Sequence, residues 1–332
     1  MADIREKIII CEWIKGNIET SYQYFIMEDA IVEKCAEFFM YPNWMYKENF
    51  RLIYDRIKNK NNFCSKLLYK QLIPKNMDKN TRYIILFNEW NPFIKNNYFL
   101  QWLRSNYDVK LVLVIRNMIP NKLHPGRNGI TVNSMKILFD LVVTDEKVDA
   151  EMYGLLFLPD PLSHKALPKE NDSQYDICFI GADKGRLPLI KEISKAAIEH
   201  NVTYNIKVAG KRRFSEAIDF TEYMPYVDVI KHDMNANCIV EIMQPGQDSY
   251  TLRYQEAVCM NKKLLTNNPN VLTEKYYDPR YIQYFNSVSD IDWDFVKEKD
   301  EVNYRYEGDF SPIKFLDSIR ASLNYMEMNK ND

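Results

Sequence analysis

Residues 238–268, CIVEIMQPGQDSYTLRYQEAVCMNKKLLTNN, decide the fold. Residues 239–243 form an apolar run of strand length, and residues 244–248 contain the Pro-Gly chemistry of a turn. Helical spacing follows over residues 250–260, and residues 264–266 predict a second strand. Strand, turn, helix and strand in this order predict one βαβ unit of a parallel sheet.

The start of this predicted helix is a candidate binding site, because the free backbone amides at a helix start favour an anion. Arg253 and Glu256 lie three residues apart and therefore share one face of the helix. An ordinary βαβ scaffold with a surface Arg–Glu pair would show the same pattern. The candidate site residues in this stretch are Gln247, Asp248, Tyr250, Thr251, Arg253 and Glu256.

A second informative stretch is YDICFIGADKGR, residues 175–186. A predicted strand ends at Gly181, and Lys184, Gly185 and Arg186 then precede a predicted helix. Glycine permits close approach of the backbone, and two cations at a helix start suit a diphosphate. The alternative is a plain strand-to-helix turn with an exposed lysine and arginine.

Strands and helices alternate along the rest of the chain, which predicts parallel α/β sheets. The predicted strands cover residues 7–13, 82–90, 109–115, 139–145, 175–181, 204–209 and 227–231, and the main predicted helices cover residues 24–40, 99–106, 187–200 and 312–328. The proline-rich run at residues 155–172 predicts a linker. We therefore expect an α/β protein with two Rossmann-like domains facing across a cleft, residues 1–167 and 168–310. We also expect a helix at residues 311–332 that closes back towards the N-terminal domain.

Composition indicates a globular protein without a nucleic-acid-binding charge pattern, since 46% of the 332 residues are hydrophobic and the net charge is −2. Six cysteines without a CxxC spacing, and no apolar run of membrane-spanning length, predict a cytoplasmic protein. Residues 51–82 are basic and interleaved with apolar residues. Such a stretch is typical either of a solvated helix or of a helix on an anionic membrane surface.

Residues 137–296 resemble the GT-B glycosyltransferases of lipopolysaccharide and capsule biosynthesis. Besides the two stretches above, the resemblance includes FDLVVTDEKVDAEMYGLLFLPDP at residues 139–161 and YDPRYIQYF at residues 277–285. That family has two acidic residues with seven residues between them, followed by an "EA…GKKLIT-N" run. Here Asp248 replaces the usual first Glu, and Asn261 replaces the usual Gly.

The resemblance implies a transferase that moves a sugar from a nucleotide-diphosphate sugar, such as a UDP-sugar, to a glycan or lipid-linked glycan acceptor in surface polysaccharide biosynthesis. It implies a donor bound by the C-terminal domain, an acceptor bound by the N-terminal domain, and neither cofactor nor metal. Lys184, Arg186 and Arg253 would neutralise the departing diphosphate. Glu256 would accept hydrogen bonds from the ribose. The residues expected against the donor sugar or its phosphate are Gln247, Asp248 and Tyr250.

Inversion of the anomeric centre requires a base for the acceptor hydroxyl, whereas retention does not. Glu89 follows a strong strand and is the first candidate, and Glu12 and Asp145 occupy analogous positions at strand ends. His124 and His232 lie in predicted loops and are further candidates.

Two other functions fit the same fold: a noncatalytic transferase-like scaffold, and a sugar-nucleotide epimerase that needs no acceptor. The D-x-D-x-D run at residues 290–294 suits helix-start carboxylates better than a metal site. No G-x-G-x-x-G, P-loop, H-E-x-x-H or G-x-S-x-G motif occurs, which argues against the usual dehydrogenases, NTPases, zinc proteases and α/β-hydrolases.

Overall fold

A computed structural model describes residues 5–13, 18, 21–57, 60, 62–119, 131–164, 167, 174–210, 218–247, 249 and 251–329. The chain divides into two compact units, one of Met1–Pro161 with Pro312–Asp332 and one of Leu162–Ser311. Each unit is built on a parallel six-stranded sheet with helices. The prediction of a two-domain α/β protein is therefore confirmed.

The first unit contains a sheet in the order β2-β1-β3-β4-β5-β6, with every neighbouring pair parallel. Its strands are β1 Arg5–Glu12, β2 Glu37–Met40, β3 Thr81–Asn88, β4 Asp108–Ile115, β5 Leu141–Thr144 and β6 Leu156–Phe157. Besides the C-terminal helix, the helices described in this unit are α1 Tyr22–Val32, α2 Glu48–Ile57, α3 Phe63–Tyr69, α4 Asn97–Asn106, α5 Val132–Leu138 and α6 Lys147–Tyr153. Strand order reverses direction between β1 and β3, so this pair is the topological switch point of the sheet.

The second unit has a sheet in the order β12-β11-β10-β7-β8-β9, again parallel throughout. Its strands are β7 Tyr175–Ala182, β8 Tyr204–Ala209, β9 Asp219–Thr221, β10 Ala236–Glu241, β11 Lys263–Thr266 and β12 Ile282–Tyr284. Its helices are α7 Leu187–Glu199, α8 Tyr226–Met234, α9 Leu252–Met260 and α10 Trp293–Lys297. Here the switch point lies between β7 and β10.

The central strands are apolar on both faces because helices cover both sides of a parallel sheet. In the first unit Ile9, Ile85 and Leu111 are at most 1% exposed. In the second unit Ile177 and Ile239 are fully buried. These cores hold the strand ends, and the loops that follow them, in fixed positions.

The C-terminal helix, α11 Pro312–Met328, belongs to the first unit, where it packs on α1 and β5. Arg320 Nε donates to Glu6 Oε1 over 2.6 Å, and Glu327 Oε1 lies 2.9 Å from Arg82 Nη2. The prediction that this helix closes back on the N-terminal domain is confirmed. Among the helices that the structure describes, none is both long and apolar enough to cross a bilayer.

Two predicted elements are wrong. Residues 24–40 do not form one helix, because α1 ends at Val32, Lys34 adopts a left-handed φ of 61°, and Glu37–Met40 pairs with β1 as an edge strand. Residues 227–231 belong to α8 and are not a strand. The segment V-D-V-I alternates like a strand, but buried Val229, Ile230 and Met234 share a helical face.

Candidate functional site

Two turns meet at the switch point of the second sheet. Residues 183–186 follow β7, and residues 244–247 follow β10. A Cβ built on Gly185 would lie 3.5 Å from Pro245 Cγ, so the two turns are in contact. Open α/β sheets bind ligands beyond the carboxyl ends of their strands at such a point.

The backbone of both turns depends on glycine. Gln247 N donates to Gln244 O over 3.1 Å, with Pro245 second and Gly246 third at φ +83°, which is the pattern of a type II turn. Gly185 also has φ +83°, a left-handed conformation that other residues adopt only with strain. The turn chemistry predicted for residues 244–248 is present in residues 244–247.

Arg186 folds over the end of β7. Its Nη1 donates to Ile242 O over 2.9 Å, and its Nη2 donates to Ala182 O over 2.5 Å. A Cβ added to Gly181 would lie 3.0 Å from Arg186 Nη2. Gly181 therefore makes room for the guanidinium, which links the carboxyl ends of β7 and β10.

The positive charge of Arg186 is not balanced by a carboxylate hydrogen bond within the described residues, since all of its bonds go to carbonyl oxygens. Burial, with a contribution from the neighbouring charge of Arg253, lowers the pKa of Arg186 to about 10. The side chain remains charged at neutral pH, and exposed Lys184 lies two residues away. This edge of the sheet can therefore attract an anion.

Arg253 lies deeper and is already paired. Its Nη1 donates to the carboxylates of Asp233 and Glu256, and its Nη2 donates to Ile180 O over 2.6 Å. The hydroxyl of Tyr226 donates to Glu256 Oε1, so both carboxylate oxygens of Glu256 have partners within the protein. The ribose contact expected of Glu256 stays a prediction, and it requires the exchange of one of these partners.

The residues that complete this network, Asp233 and Tyr226, carry no local sequence signal. Asp233 lies on α8, is fully buried, and burial raises its pKa to about 7. Tyr226 begins the same helix. Because these residues are distant in sequence from Arg253, only the packing of α8 beside α9 and β7 brings them to it.

Thr251 fixes the start of α9 through a buried carboxylate. Its Oγ1 accepts from Arg253 N over 3.1 Å, and it donates to Glu241 Oε1 over 2.7 Å. Thr266 Oγ1 donates to the other oxygen of Glu241, which is fully buried and whose pKa is raised by that burial. Thr251 therefore caps the helix and ties it to β10. Asp248 and Tyr250 lie outside the described residues.

The start of α7, expected to bind a diphosphate, is capped by the protein itself. Asp183 Oδ1 accepts from Gly185 N and from Leu187 N, each over 3.2 Å. An anion at this helix start would have to share or displace the carboxylate. At the C-terminal end of α9, Asn261 has φ 50°, so asparagine adopts the left-handed conformation that favours glycine at this position.

The charge of one arginine, Arg116, acts on all three strand-end carboxylates predicted in the first unit, Glu12, Glu89 and Asp145. Arg116 N donates to Glu89 Oε1 over 3.3 Å, and Arg116 Nε lies 2.7 Å from Asp160 Oδ1. Glu12 Oε2 accepts from Asn88 Nδ2 over 2.7 Å, across the switch point between β1 and β3.

Burial dominates the electrostatics of this cluster. Burial raises the pKa of Glu12 to about 7; the charge of Arg116 opposes the shift and that of Glu89 adds to it. The pKa values of Asp145 and Asp160 are also raised, chiefly by burial. Carboxyl groups with raised pKa values at a switch point suit proton transfer near neutral pH.

The other sequence candidates lie elsewhere. His232 lies on α8, where its Nδ1 is 3.1 Å from Nδ2 of Asn205 on β8. His124 is outside the described residues. Asp292 caps α10 by accepting from Asp294 N and Phe295 N, which is the helix-start role that the sequence favoured for this run.

No family model and no curated protein matches the chain in sequence. Among solved structures, S. aureus MnaA with UDP has a TM-score of 0.52 at 13% identity, covering 96% of this chain and 97% of that one. Sucrose-phosphate synthase from Thermosynechococcus elongatus has a TM-score of 0.52 at 8% identity, and the match covers 99% of this chain and 100% of that one. A putative UDP-N-acetylglucosamine 2-epimerase from Listeria monocytogenes has a TM-score of 0.51 at 11% identity, and the match covers 96% of this chain and 97% of that one. Likeness at such low identity concerns the fold, and the chain has the two-domain α/β fold of the GT-B class.

Proposed function

We propose that the protein is a glycosyltransferase that moves a sugar from a nucleotide-diphosphate sugar to a glycan or lipid-linked glycan. The observation that carries this proposal is the junction of the two turns, at residues 183–186 and 244–247, around the guanidinium of Arg186. A cation at the switch point of a sheet suits the diphosphate of a nucleotide. The similar fold of a protein solved with UDP supports the same ligand class.

In the proposed donor site, Lys184 and Arg186 neutralise the charge that grows on the diphosphate as the sugar leaves. Arg253 joins them if its guanidinium exchanges one carboxylate partner for a phosphate oxygen. Gln247, Asp248 and Tyr250 contact the donor sugar or its phosphate in this proposal, and Thr251 holds the helix start in place.

The acceptor belongs to the first unit in this proposal. Glu89 is the base that removes the proton of the acceptor hydroxyl, because it follows β3 and lies beside Arg116 in the carboxylate cluster. Glu12 and Asp145 are the neighbouring alternatives. A reaction with retention would not need this base. The charge stabilisation comes from side chains, so we expect turnover to persist in EDTA.

The acceptor is proposed to be lipid-linked, in surface polysaccharide biosynthesis of the lipopolysaccharide or capsule type at the inner face of a membrane. Helices α2 and α3 expose four large apolar side chains within the basic stretch. These are Leu52, Ile53, Phe63 and Leu67. Exposed apolar residues among lysines and arginines suit the surface of an anionic bilayer.

A thermal-shift panel of UDP-, GDP-, CMP- and dTDP-sugars tests the donor assignment, because a ligand that binds only the folded form raises Tm. At a concentration of 100 Kd the stabilisation is about 2.7 kcal/mol. We expect one nucleotide class to raise Tm and the Arg186→Ala variant to weaken that response. If none of the panel shifts Tm, the donor site is wrong.

The epimerase is the second candidate, favoured by the fold likeness to a putative UDP-N-acetylglucosamine 2-epimerase over 96% of the chain. The raised pKa values of Glu12 and Asp145 also suit proton transfer on a sugar. Incubation with UDP-N-acetylglucosamine and no acceptor separates the two functions. A new UDP-sugar isomer in the NMR spectrum supports the epimerase, slow release of free sugar supports the transferase, and nucleotide binding without either product supports a scaffold.

A further inference from the structure

The first unit contains a cavity of about 690 Å³ that the donor proposal does not use. Its size lies in the range of small-molecule sites. Aromatic side chains from three separate segments of the chain line it. They are Trp13, Tyr46, Phe50, Tyr54 and Phe93.

The aromatic side chains that line this cavity pack on one another, and Trp13 is partly exposed. The rings of Trp13 and Tyr46 have centroids 4.4 Å apart, and those of Trp13 and Phe93 lie 5.3 Å apart and edge to face. Tyr54 is buried, and its hydroxyl accepts from Asn96 Nδ2 over 3.2 Å. The electron-rich faces of such rings attract the polarised C–H groups of a ligand.

The rim of the aromatic cavity is charged but balanced. Among the residues that the structure describes, the rim contains two exposed cations, Lys47 and Arg51, and two exposed carboxylates, Glu48 and Asp55. A ligand with several negative charges gains little from a rim whose charges cancel. A polyhydroxylated ligand gains from both signs, because its hydroxyl groups donate to carboxylates and accept from cations.

The position of the cavity relates it to the carboxylate cluster of the same unit. Trp13 directly follows Glu12, and lining residue Pro92 comes three residues after Glu89. Both segments leave the sheet at the carboxyl ends of β1 and β3, where Asn88 bonds to Glu12. A ligand in the cavity would therefore lie at the same edge of the sheet as the proposed base.

We propose that the aromatic cavity binds an uncharged sugar residue of the acceptor, with a C–H face of the sugar on Trp13 and its hydroxyl groups on Glu48 and Asp55. The proposal rests on the proposed transferase function, and it specifies the part of the acceptor that this unit recognises. A sugar ring has an apolar C–H face, which matches the aromatic wall, and peripheral hydroxyl groups, which match the charged rim. A lipid chain would leave the rim unused, and a diphosphate would leave the aromatic wall unused.

Saturation-transfer NMR on the full chain without donor tests this assignment. The probes are the methyl glycosides of glucose, galactose and N-acetylglucosamine, at up to about 10 mM because single sugars bind weakly. We expect the protein to transfer saturation to the C–H protons of at least one of these glycosides. The Trp13→Leu variant should lower its affinity about fivefold or more.

A second, surface variant keeps the test independent of folding. Glu48→Gln combined with Asp55→Asn changes only exposed side chains and should also weaken binding severalfold. Matched controls in the same unit are Tyr98→Leu on α4 and Asp108→Asn at the start of β4, both exposed and outside the cavity lining. Neither control should change the affinity for the glycoside.

Separate titration of UDP distinguishes the two proposals. If UDP binds but no glycoside does, or if glycosides bind equally well to the Trp13 and rim variants, the cavity assignment is wrong and the donor site stands. Should glycosides bind as expected while no nucleotide binds, the cavity assignment stands and the transferase is wrong. Tighter binding of glucose 1-phosphate than of methyl glucoside at the cavity also overturns the assignment of an uncharged ligand.

Discussion

Arg253 Nη2 donates a hydrogen bond of 2.6 Å to the carbonyl oxygen of Ile180. This bond joins the start of α9 to the carboxyl-terminal part of β7, and thus joins the two stretches that the sequence singled out. Nη1 of the same guanidinium pairs with Asp233 and Glu256. Arg253 therefore holds three elements of the second unit together.

We expect Arg253→Ala to lower the free energy of unfolding by about 3–5 kcal/mol, because it leaves two buried carboxylates without their cation. Urea denaturation measures the loss. Arg280→Ala is the matched control: Arg280 pairs with Asp278 in the same unit but is mostly exposed, so its removal should leave stability nearly unchanged. Equal stability of the two variants would contradict the structural role of Arg253.

Gly181→Ala should weaken nucleotide binding about three- to tenfold. It should change Tm little, because the atom that the new Cβ meets is the far end of the flexible Arg186 side chain, which can shift without moving the backbone. The new Cβ would lie 3.0 Å from Arg186 Nη2 and would displace the guanidinium. Isothermal titration with the nucleotide identified in the thermal-shift panel measures the effect. In an Arg186→Ala background the same glycine substitution should have no further effect; additive losses would mean that Gly181 acts in another way.

The positions of the two turns of the second unit followed from the sequence, but the partners of Arg253 and Glu256 did not. Glycine and proline mark the turns at residues 183–186 and 244–247, because left-handed and type II backbone geometry favours them. Asp233 and Tyr226 meet Arg253 and Glu256 only through the packing of α8, a segment whose alternating residues also fit a strand.

In the first unit the same distinction holds. The strand-end rule located Glu12, Glu89 and Asp145, because the carboxyl ends of parallel strands meet at one edge. The largely buried pair of Arg116 and Asp160 left no local pattern, since each residue looks like a surface charge in sequence. The aromatic cavity combines three segments and likewise has no local signature.

Glu89→Gln should reduce transfer about 10²–10⁴-fold if the base assignment is right, with unchanged binding of the donor. Steady-state transfer assays and nucleotide titration measure the two quantities. Asp108→Asn, at the opposite end of the neighbouring strand β4, should retain full activity. A larger loss in Glu12→Gln or Asp145→Asn moves the base to that residue, and full activity in all three favours retention.

Glu12 should make stability depend on pH in an unusual direction. Its pKa rises from about 4.5 to about 7 on folding, chiefly through burial, so between these values the folded state holds a proton that the unfolded state has released. Stability then falls as pH rises through this window and is constant above it. Urea denaturation from about pH 5 to about pH 8 should show Glu12→Gln gaining on the order of 1–3 kcal/mol relative to the parent protein as pH rises. A constant difference across the window would show that Glu12 is not protonated by folding.

Membrane association should depend on α2 and α3. The face of α2 that carries Leu52 and Ile53 is exposed, whereas Phe50 and Tyr54 on the same helix are buried beside the aromatic cavity. On α3, Phe63 is 75% exposed within the same basic stretch. The apolar side chains can therefore enter the interface of a bilayer while neighbouring cations contact anionic headgroups.

Flotation with phosphatidylglycerol vesicles should recover the protein, whereas phosphatidylcholine vesicles should not. Binding should weaken in about 1 M salt, where the screening length falls to about 3 Å. Phe63→Ser combined with Leu67→Ser should reduce binding, while Ile137→Ser on α5, a still more exposed apolar residue outside the basic stretch, should not. Salt-resistant binding, or equal losses in the two variants, would refute an electrostatic surface at this stretch. Such a result would favour an acceptor that reaches the protein from solution.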